Sequence, residues 1–280
     1  MNEQAVDKFY TEIKPERGFL DINFREIWQF RELMLAFSWR DIKVRYKQTY
    51  LGVAWAILQP FLMMIIFSFF FGRLIQVSSD GAPYPIFVYC GLLFWNYFSQ
   101  ALTNASNSLV NSSSMIQKVF FPRLILPISS AVTPLIDYGF SFVVFIGLLI
   151  YFHFVPTLLG LVLIPLLLLI SFLCSTGIGL FFASANVKYR DVRFILPFFI
   201  QLLMYLTPVI YPVSIIPEKL RWIIYLNPMS GVITAARSSF LGTAAIDWIS
   251  LLISFGMSTV FLLGGIYYFK KTERFFADII

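Results

Sequence analysis

Long apolar segments recur along the chain, and short polar stretches separate them. A helix needs about 20 apolar residues to cross the hydrocarbon core of a bilayer, and six segments come close to that length. Few charged side chains interrupt them, which is typical of transmembrane helices. The pattern predicts an all-α membrane protein with one transmembrane domain over residues 1–280 and spans at about 51–71, 84–104, 129–152, 157–183, 194–210 and 249–269.

A shorter amphipathic stretch, residues 24–37, precedes the first span. It is too short to cross a membrane, so it predicts an interfacial helix lying on the bilayer or, alternatively, a helix packed against a soluble partner. Residues 1–22 lack apolar periodicity and are interpreted as a cytosolic arm. The apolar face of the stretch contains Phe24, Ile27, Trp28, Phe30, Leu33, Met34 and Phe37.

The region between residues 211 and 248 is apolar but interrupted. Pro212, Pro217, Pro228 and Gly231 divide it into pieces that are too short to span a bilayer. It predicts a pair of short re-entrant helices, at about 213–226 and 229–241, before the last span.

The distribution of basic residues indicates the orientation of the spans. The sequence is 59% apolar and only 13% charged. With six spans and both termini in the cytosol, 17 of the 21 Lys and Arg residues fall on the cytosolic side, which agrees with the positive-inside rule. The same topology accounts for the net charge of +6, so we do not expect nucleic-acid binding.

Polar side chains occur inside two of the predicted spans. Asn96, Gln100, Thr103 and Asn107 recur at helical spacing on the second span. This stripe faces either a water-filled path or neighbouring helices, which it would join by hydrogen bonds. Asp137 on the third span is a functional candidate because intramembrane carboxylates are costly, although its position is also compatible with hydration or an ion pair near the cytosolic end.

Residues for enzymatic chemistry are scarce. The chain has no G-x-x-x-x-G-K-[ST] phosphate loop, a single histidine (His153) in a predicted turn, and two cysteines, Cys90 and Cys174, inside predicted spans. Metal binding and acid–base catalysis therefore have little support. We predict no catalytic residue, no metal ligand and no cofactor in this chain, and a conduit driven by another subunit.

Six sequence motifs are spread over most of the chain. In combination they resemble the membrane (permease) subunit of type-2 ABC exporters for cell-surface polysaccharides, the family that exports O-antigen, capsule and teichoic acid. The O-antigen and capsule branches fit equally well. The motifs are RDIKVRYKQTYLGVAWAILQP (40–60), GLLFWNYF (91–98), NSLVNSSSMIQKVFFPRLILP (107–127), NVKYRDVR (186–193), TPVIYP (207–212) and YLNPMSGVI (225–233).

The resemblance implies a homodimer in the cytoplasmic (inner) membrane of a bacterium. Two copies of a separate ATP-binding-cassette subunit would bind ATP and Mg, and a lipid-linked polysaccharide would cross at the dimer interface. The docking elements would be the amphipathic helix and the 105–128 connection, and the re-entrant pair would shape the outer exit. The docking residues would be Trp28, Gln117, Lys118, Phe120 and Arg123.

Two further groups of residues follow from this resemblance. Arg40, Lys43 and Lys47, at helical spacing, would meet the anionic lipid head at the entrance, or they only fix the topology. Aromatic faces and amides suit a sliding sugar chain, although any single aromatic residue could equally face lipid or the core. The candidates for lining the pore are Trp55, Gln59, Trp95, Asn96, Gln100 and Tyr205.

Two alternatives remain at this stage. An exporter of similar build for a small hydrophobic compound should have a less polar pore than the amide stripe suggests. A membrane enzyme acting on polyprenyl-linked sugars would need a cluster of acids or histidines near the interface.

Overall fold

The computed structural model describes residues 28–47, 52–189, 191–273 and 276. These residues form helices and turns without a β-strand, which confirms the all-α prediction for this part of the chain. The predicted arm, residues 1–22, lies outside it. The helices are α1 (Arg31–Lys47), α2 (Gly52–Phe67), α3 (Tyr84–Asn111), α4 (Ser113–Ile116), α5 (Ile125–Val132), α6 (Leu135–Tyr151), α7 (Leu158–Lys188), α8 (Val192–Leu206), α9 (Glu218–Tyr225), α10 (Pro228–Leu241) and α11 (Trp248–Glu273).

Four segments of the described chain are long and apolar enough to cross a membrane. They coincide with the predicted first, third, fourth and sixth spans, and they are Gly52–Leu74, Ile125–Tyr151, Leu158–Lys188 and Trp248–Glu273. The first consists of α2 and a π-helical continuation, Ser68–Leu74. α3 has 28 residues, about 42 Å at 1.5 Å per residue, but its amides and hydroxyls make it less apolar. α8 is apolar and has 15 residues.

The amphipathic helix differs from its prediction in extent and in surroundings. Residues 24–27 lie outside the described part, and the helix continues to Lys47 because no proline or glycine stops it after Phe37. Its apolar residues pack on the protein itself: the Phe37 and Phe121 rings meet edge to face with centroids 5.6 Å apart. Phe30, Leu33 and Met34 pack against the same cluster, so this apolar face covers other helices of the chain.

The predicted third span is two helices. α5 ends at Val132 and α6 begins at Leu135. The break falls at Pro134, which lacks a backbone donor and whose ring clashes with the carbonyl four residues earlier in a continuous helix.

A second proline, Pro60, lies inside α2. It leaves the carbonyl of Ala56 without its usual helical donor, and the Ser141 hydroxyl donates to that oxygen at 3.1 Å. This bond joins α2 to α6.

α3 lies at the centre of the fold. Of its 28 residues, 19 are buried, and it contacts α2, α5, α6, α7 and α10. α7 and α11 pack closely because Gly177 and Gly265 face each other without side chains between them. Small residues also let α7 approach α3, where Gly179 lies against Ala105.

The predicted re-entrant pair corresponds to α9 and α10, preceded by the short 3-10 turn Val213–Ile215. The Asn227 side chain caps α10 by accepting from the Met229 N–H at 3.1 Å. α10 ends at Leu241, and the following Gly242 has a φ of +62°, a left-handed conformation that favours glycine. Nearly all of α10 is buried, whereas α9 has no buried residue.

Candidate functional site

The site centres on the polar face of α3. Asn96 and Gln100 line a small pocket between α2, α3 and the start of α6. Both are half-buried, as are Thr103, Asn104 and Asn107 further along the same face. The remaining walls are formed by Ala56, Pro60, Leu93, Tyr97, Pro134, Asp137, Tyr138 and Ser141.

One end of the pocket carries an ion pair. Arg45 Nη2, near the end of α1, forms an ion pair with Asp137, 2.5 Å from its Oδ2. The same nitrogen donates a hydrogen bond to Oε1 of Gln100 at 2.6 Å. The Tyr46 hydroxyl donates to the other oxygen of Asp137. The Asp137 side chain is only 5% exposed, so this network assigns the intramembrane carboxylate to an ion pair.

Two local effects support this network. Asp137 lies in the first turn of α6, where the helix dipole favours a negative charge. Burial, and then the hydrogen bond to Asp137, raise the pKa of Tyr46 above its ordinary value. The phenol therefore stays protonated and acts as a donor.

Only part of the polar stripe faces the pocket. Asn186 of α7 donates to the Asn107 side chain at 3.1 Å and to the Ser106 carbonyl at 3.3 Å. Asn107 itself donates to the Thr103 carbonyl at 2.9 Å. This end of the stripe therefore joins helices, while Asn96 and Gln100 line the small pocket and Gln100 also accepts from Arg45 of α1.

The three entrance candidates lie on α1 in different surroundings. Arg40 is half-buried, pairs with Asp41 at 2.8 Å and stacks on Phe37. Lys43 is exposed and lies over the Trp39 ring, and Lys47 is exposed.

The docking candidates are mostly exposed. Trp28, Gln117, Lys118 and Phe120 are exposed, and the Phe120 side chain reaches 79%. Arg123 differs, because its Nη1 donates to the Glu273 carbonyl at 2.6 Å and its guanidinium lies over Phe276. Arg123 thus ties the connection to the end of α11.

The pore candidates separate into three groups. Asn96 and Gln100 share the pocket. Trp55 and Gln59 lie on the exposed face of α2, and Tyr205 lies on the exposed face of α8. Trp95 is 3% exposed and packs on Phe98, so it belongs to the core of the described structure.

The sequence reasoning missed two arginines. Arg45 is one of the 17 basic residues that indicate the orientation of the spans, although a carboxylate at position 137 indicates the need for a cation nearby. Arg237 is one of the four basic residues that the predicted topology places outside the cytosol, yet it is 4% exposed. Its guanidinium donates to the carbonyls of Pro208 and Val209, both at 2.6 Å. The signal in the sequence was that Arg237 is a lone cation in an apolar segment, which indicates a buried charge with polar partners.

Both cysteines are buried and unbridged. In the described ranges, no three His, Cys, Asp or Glu side chains cluster in a way that could hold a metal ion. The polar groups at the pocket can therefore bind a ligand through hydrogen bonds and charge.

Comparison with known proteins gives a consistent picture. A family model described as ABC-2 type transporter matches residues 32–241. The chain is 31% identical over 254 residues to the O-antigen export system permease protein RfbA of Klebsiella pneumoniae, covering 89% of this chain and 95% of that protein. The Myxococcus xanthus protein of the same name is 28% identical, with 91% and 98% covered. The polysialic acid transport protein KpsM of Escherichia coli is 27% identical, with 80% and 87% covered.

Proposed function

From the premise that the chain belongs to the ABC-2 type transporter family, we propose that it is the permease subunit of an ATP-driven exporter for a cell-surface polysaccharide. It is a multi-pass protein of the bacterial inner membrane. The similarity to export permeases over 89% of the chain carries this proposal. O-antigen and capsular polysaccharide are both candidate cargoes, because relatives named for each are similar along most of the chain.

The proposed subunit has six spans and both termini in the cytosol. The four long apolar segments account for four spans. α3 supplies another, because its length of 28 residues exceeds the bilayer core and its polar groups face protein and the pocket. α8 supplies the remaining span, the fifth in chain order, together with the buried residues 207–210 that follow it.

The proposed transporter contains two copies of this chain and two ATPase subunits. ATP and Mg belong to the ATPase subunits. In this arrangement α1 and the 105–128 connection face the ATPase, and exposure of Trp28, Gln117, Lys118 and Phe120 supports the assignment. Arg123 stabilises the same surface, because its hydrogen bond to the Glu273 carbonyl attaches the connection to the end of α11.

The proposed path for the glycan begins at the basic end of α1. Exposed Lys43 and Lys47, with Arg40 beside them, attract an anionic lipid head. The path continues along Trp55, Gln59, Asn96, Gln100 and Tyr205, whose side chains are exposed or half-buried. Trp95 is buried beside Asn96, so in this proposal it holds Asn96 in place and does not contact the glycan. The outer exit is shaped by α9 and α10.

The test is ATP turnover by the reconstituted transporter. The chain is co-expressed with a candidate ATPase, purified, and assayed with and without a lipid-linked glycan. We expect a stable complex whose turnover rises several-fold with the glycan, and no turnover with an ATPase that lacks its P-loop lysine.

Failure to form a complex would contradict the docking assignment. If a small hydrophobic compound but not the glycan stimulated ATP turnover, the cargo would be such a compound. The amides of α3 argue against that cargo.

A further inference from the structure

Helix α1 is attached to the rest of the molecule in two chemically different ways. Its first two thirds pack mainly by apolar contacts, of which the Phe37–Phe121 ring pair is one, with hydrogen bonds from Ser38 to the Ser129 carbonyl and from Ser130 to Asp41 beside them. Its last turn is attached through Arg45 and Tyr46 to Asp137, and through Arg45 to Gln100. Apolar contacts are non-directional, whereas charge-assisted hydrogen bonds fix both distance and angle. The last turn is therefore where α1 is held in a defined position against α6 and α3.

Stability alone is a weak reason for this arrangement. A buried ion pair is usually no more stabilising than apolar residues of the same volume. Its distinctive property is that it specifies one geometry, because moving Arg45 away leaves the buried Asp137 carboxylate without compensation. Both oxygens of the Asp137 carboxylate are occupied by consecutive residues of α1, so α1 cannot shift along α6 without breaking or carrying this contact.

The two residues held by Arg45 lie at the site proposed for the conduit. Gln100 and Asp137 both line the pocket that also contains Asn96. Asp137 begins α6 next to the break at Pro134. α5, before the break, packs on both α1 and α3, and α6, after it, packs on α3 and α2. Helix breaks at proline are places where two segments can change their angle.

We propose that Arg45 and Asp137 are positioning residues that transmit displacement of α1 to the polar face of α3. This inference rests on the proposed function, in which α1 faces the ATPase and α3 borders the path of the glycan. When the ATPase moves α1, the ion pair carries Asp137 and Gln100 with it, and the pocket beside Asn96 changes shape.

The test uses the double variant Arg45→Gln with Asp137→Asn in the full chain, co-purified with its ATPase. This variant removes both charges together, so no uncompensated charge is left in the interior. We expect it to fold and to bind the ATPase. The number of glycans exported per ATP should fall roughly tenfold, in line with typical coupling between sites.

The matched control removes a different arginine–carboxylate pair. Arg221 and Glu218 lie 3.8 Å apart on α9, and Glu218 is exposed. The variant Arg221→Gln with Glu218→Gln should keep the wild-type ratio of export to ATP turnover. The inference is overturned if the Arg45/Asp137 variant also keeps that ratio. Absence of glycan export by the wild-type complex would instead overturn the proposed function.

A second measurement keeps the inference testable if the double variant fails to fold. Spin labels at Val44 on α1 and Asn104 on α3 report the distance between the two helices in an otherwise wild-type complex. With the ion pair intact, this distance should stay constant between ATP-bound and nucleotide-free states. A change of several ångströms would show that α1 moves independently of α3 and would refute the inference. The Arg45→Lys variant keeps the charge and should partly preserve the export ratio.

Discussion

The guanidinium of Arg237 lies 3.6 Å from the centre of the Phe87 ring, and its Nε donates to the Phe87 carbonyl at 3.1 Å. The same guanidinium binds the carbonyls of Pro208 and Val209. Tyr84 donates to the next carbonyl, that of Ile210, at 2.7 Å. The non-helical segment after α8 thus has its buried carbonyls satisfied by side chains of α3 and α10.

Replacing Arg237 should destabilise the protein. Arg237→Met leaves the carbonyls of Pro208 and Val209 buried without donors, at about 1–3 kcal/mol for each unsatisfied group. Arg237→Lys should be intermediate, because an ammonium cannot reach all of these oxygens together. The measurement is the melting temperature of the detergent-purified protein. An unchanged melting temperature for Arg237→Met would show that the segment is held by other contacts.

Adjacent phenylalanines in the 105–128 connection should respond differently. Phe120 is 79% exposed and Phe121 is 5% exposed. Phe120→Ala should weaken co-purification with the ATPase without lowering the melting temperature, because no packing is lost. Phe121→Ala should cost about 3–5 kcal/mol of stability, since it leaves a cavity beside Phe37. Each variant serves as the control for the other, and equal effects on docking would contradict the proposed docking surface.

Adding one methyl group between α7 and α11 should be poorly tolerated. A Cβ at position 265 would clash with the Gly177 carbonyl oxygen, which belongs to the backbone and cannot rotate away. Gly265→Ala should therefore cost about 1–3 kcal/mol of stability. The neighbouring Gly264 has open space around its Cβ position, so Gly264→Ala should be neutral or slightly stabilising. Comparison of their melting temperatures tests the packing, and similar values would argue against it.

Long apolar runs predict most of the helices, because a span needs one such run. The prolines and the glycine of residues 211–248 also place the ends of α9 and α10 within a few residues of where the structure has them. The apolar pattern does not predict where a helix stops inside an amphipathic region. α1 continues through Arg40 and Lys47 because these residues have good helix propensity and no breaker follows Phe37. The predicted third span contains Pro134, but an apolar run alone does not show that the helix stops there.

The candidate site was predictable only in part, because spacing shows which residues share a face but not which face is covered. Asn96 and Gln100 border the pocket as one stripe, whereas Trp95, one residue away, is in the core. Arg45 lies off the face shared by Arg40, Lys43 and Lys47, and its pairing with Asp137 joins residues 92 positions apart. Such a contact depends on tertiary packing, which periodicity does not contain.

The amide of Asn96 provides the most direct test of the conduit. Asn96→Leu removes a donor and an acceptor from the pocket but keeps a similar volume, so the fold should be preserved. If passing sugar hydroxyls bind this amide, the rate of glycan export should change about two- to tenfold, which corresponds to the loss of one hydrogen bond. The measurement is glycan transfer into vesicles that contain the transporter.

The control for Asn96 makes the same substitution elsewhere on α3. Asn111 is exposed at the end of the helix, within the 105–128 connection. Asn111→Leu therefore changes the same chemistry outside the pocket and should leave the export rate per bound ATPase unaltered. An equal export rate for Asn96→Leu and the wild type would place the glycan path on another face. The exposed residues Trp55 and Gln59 of α2 would then be the next positions to replace, because α2 forms the opposite wall of the pocket through Ala56 and Pro60.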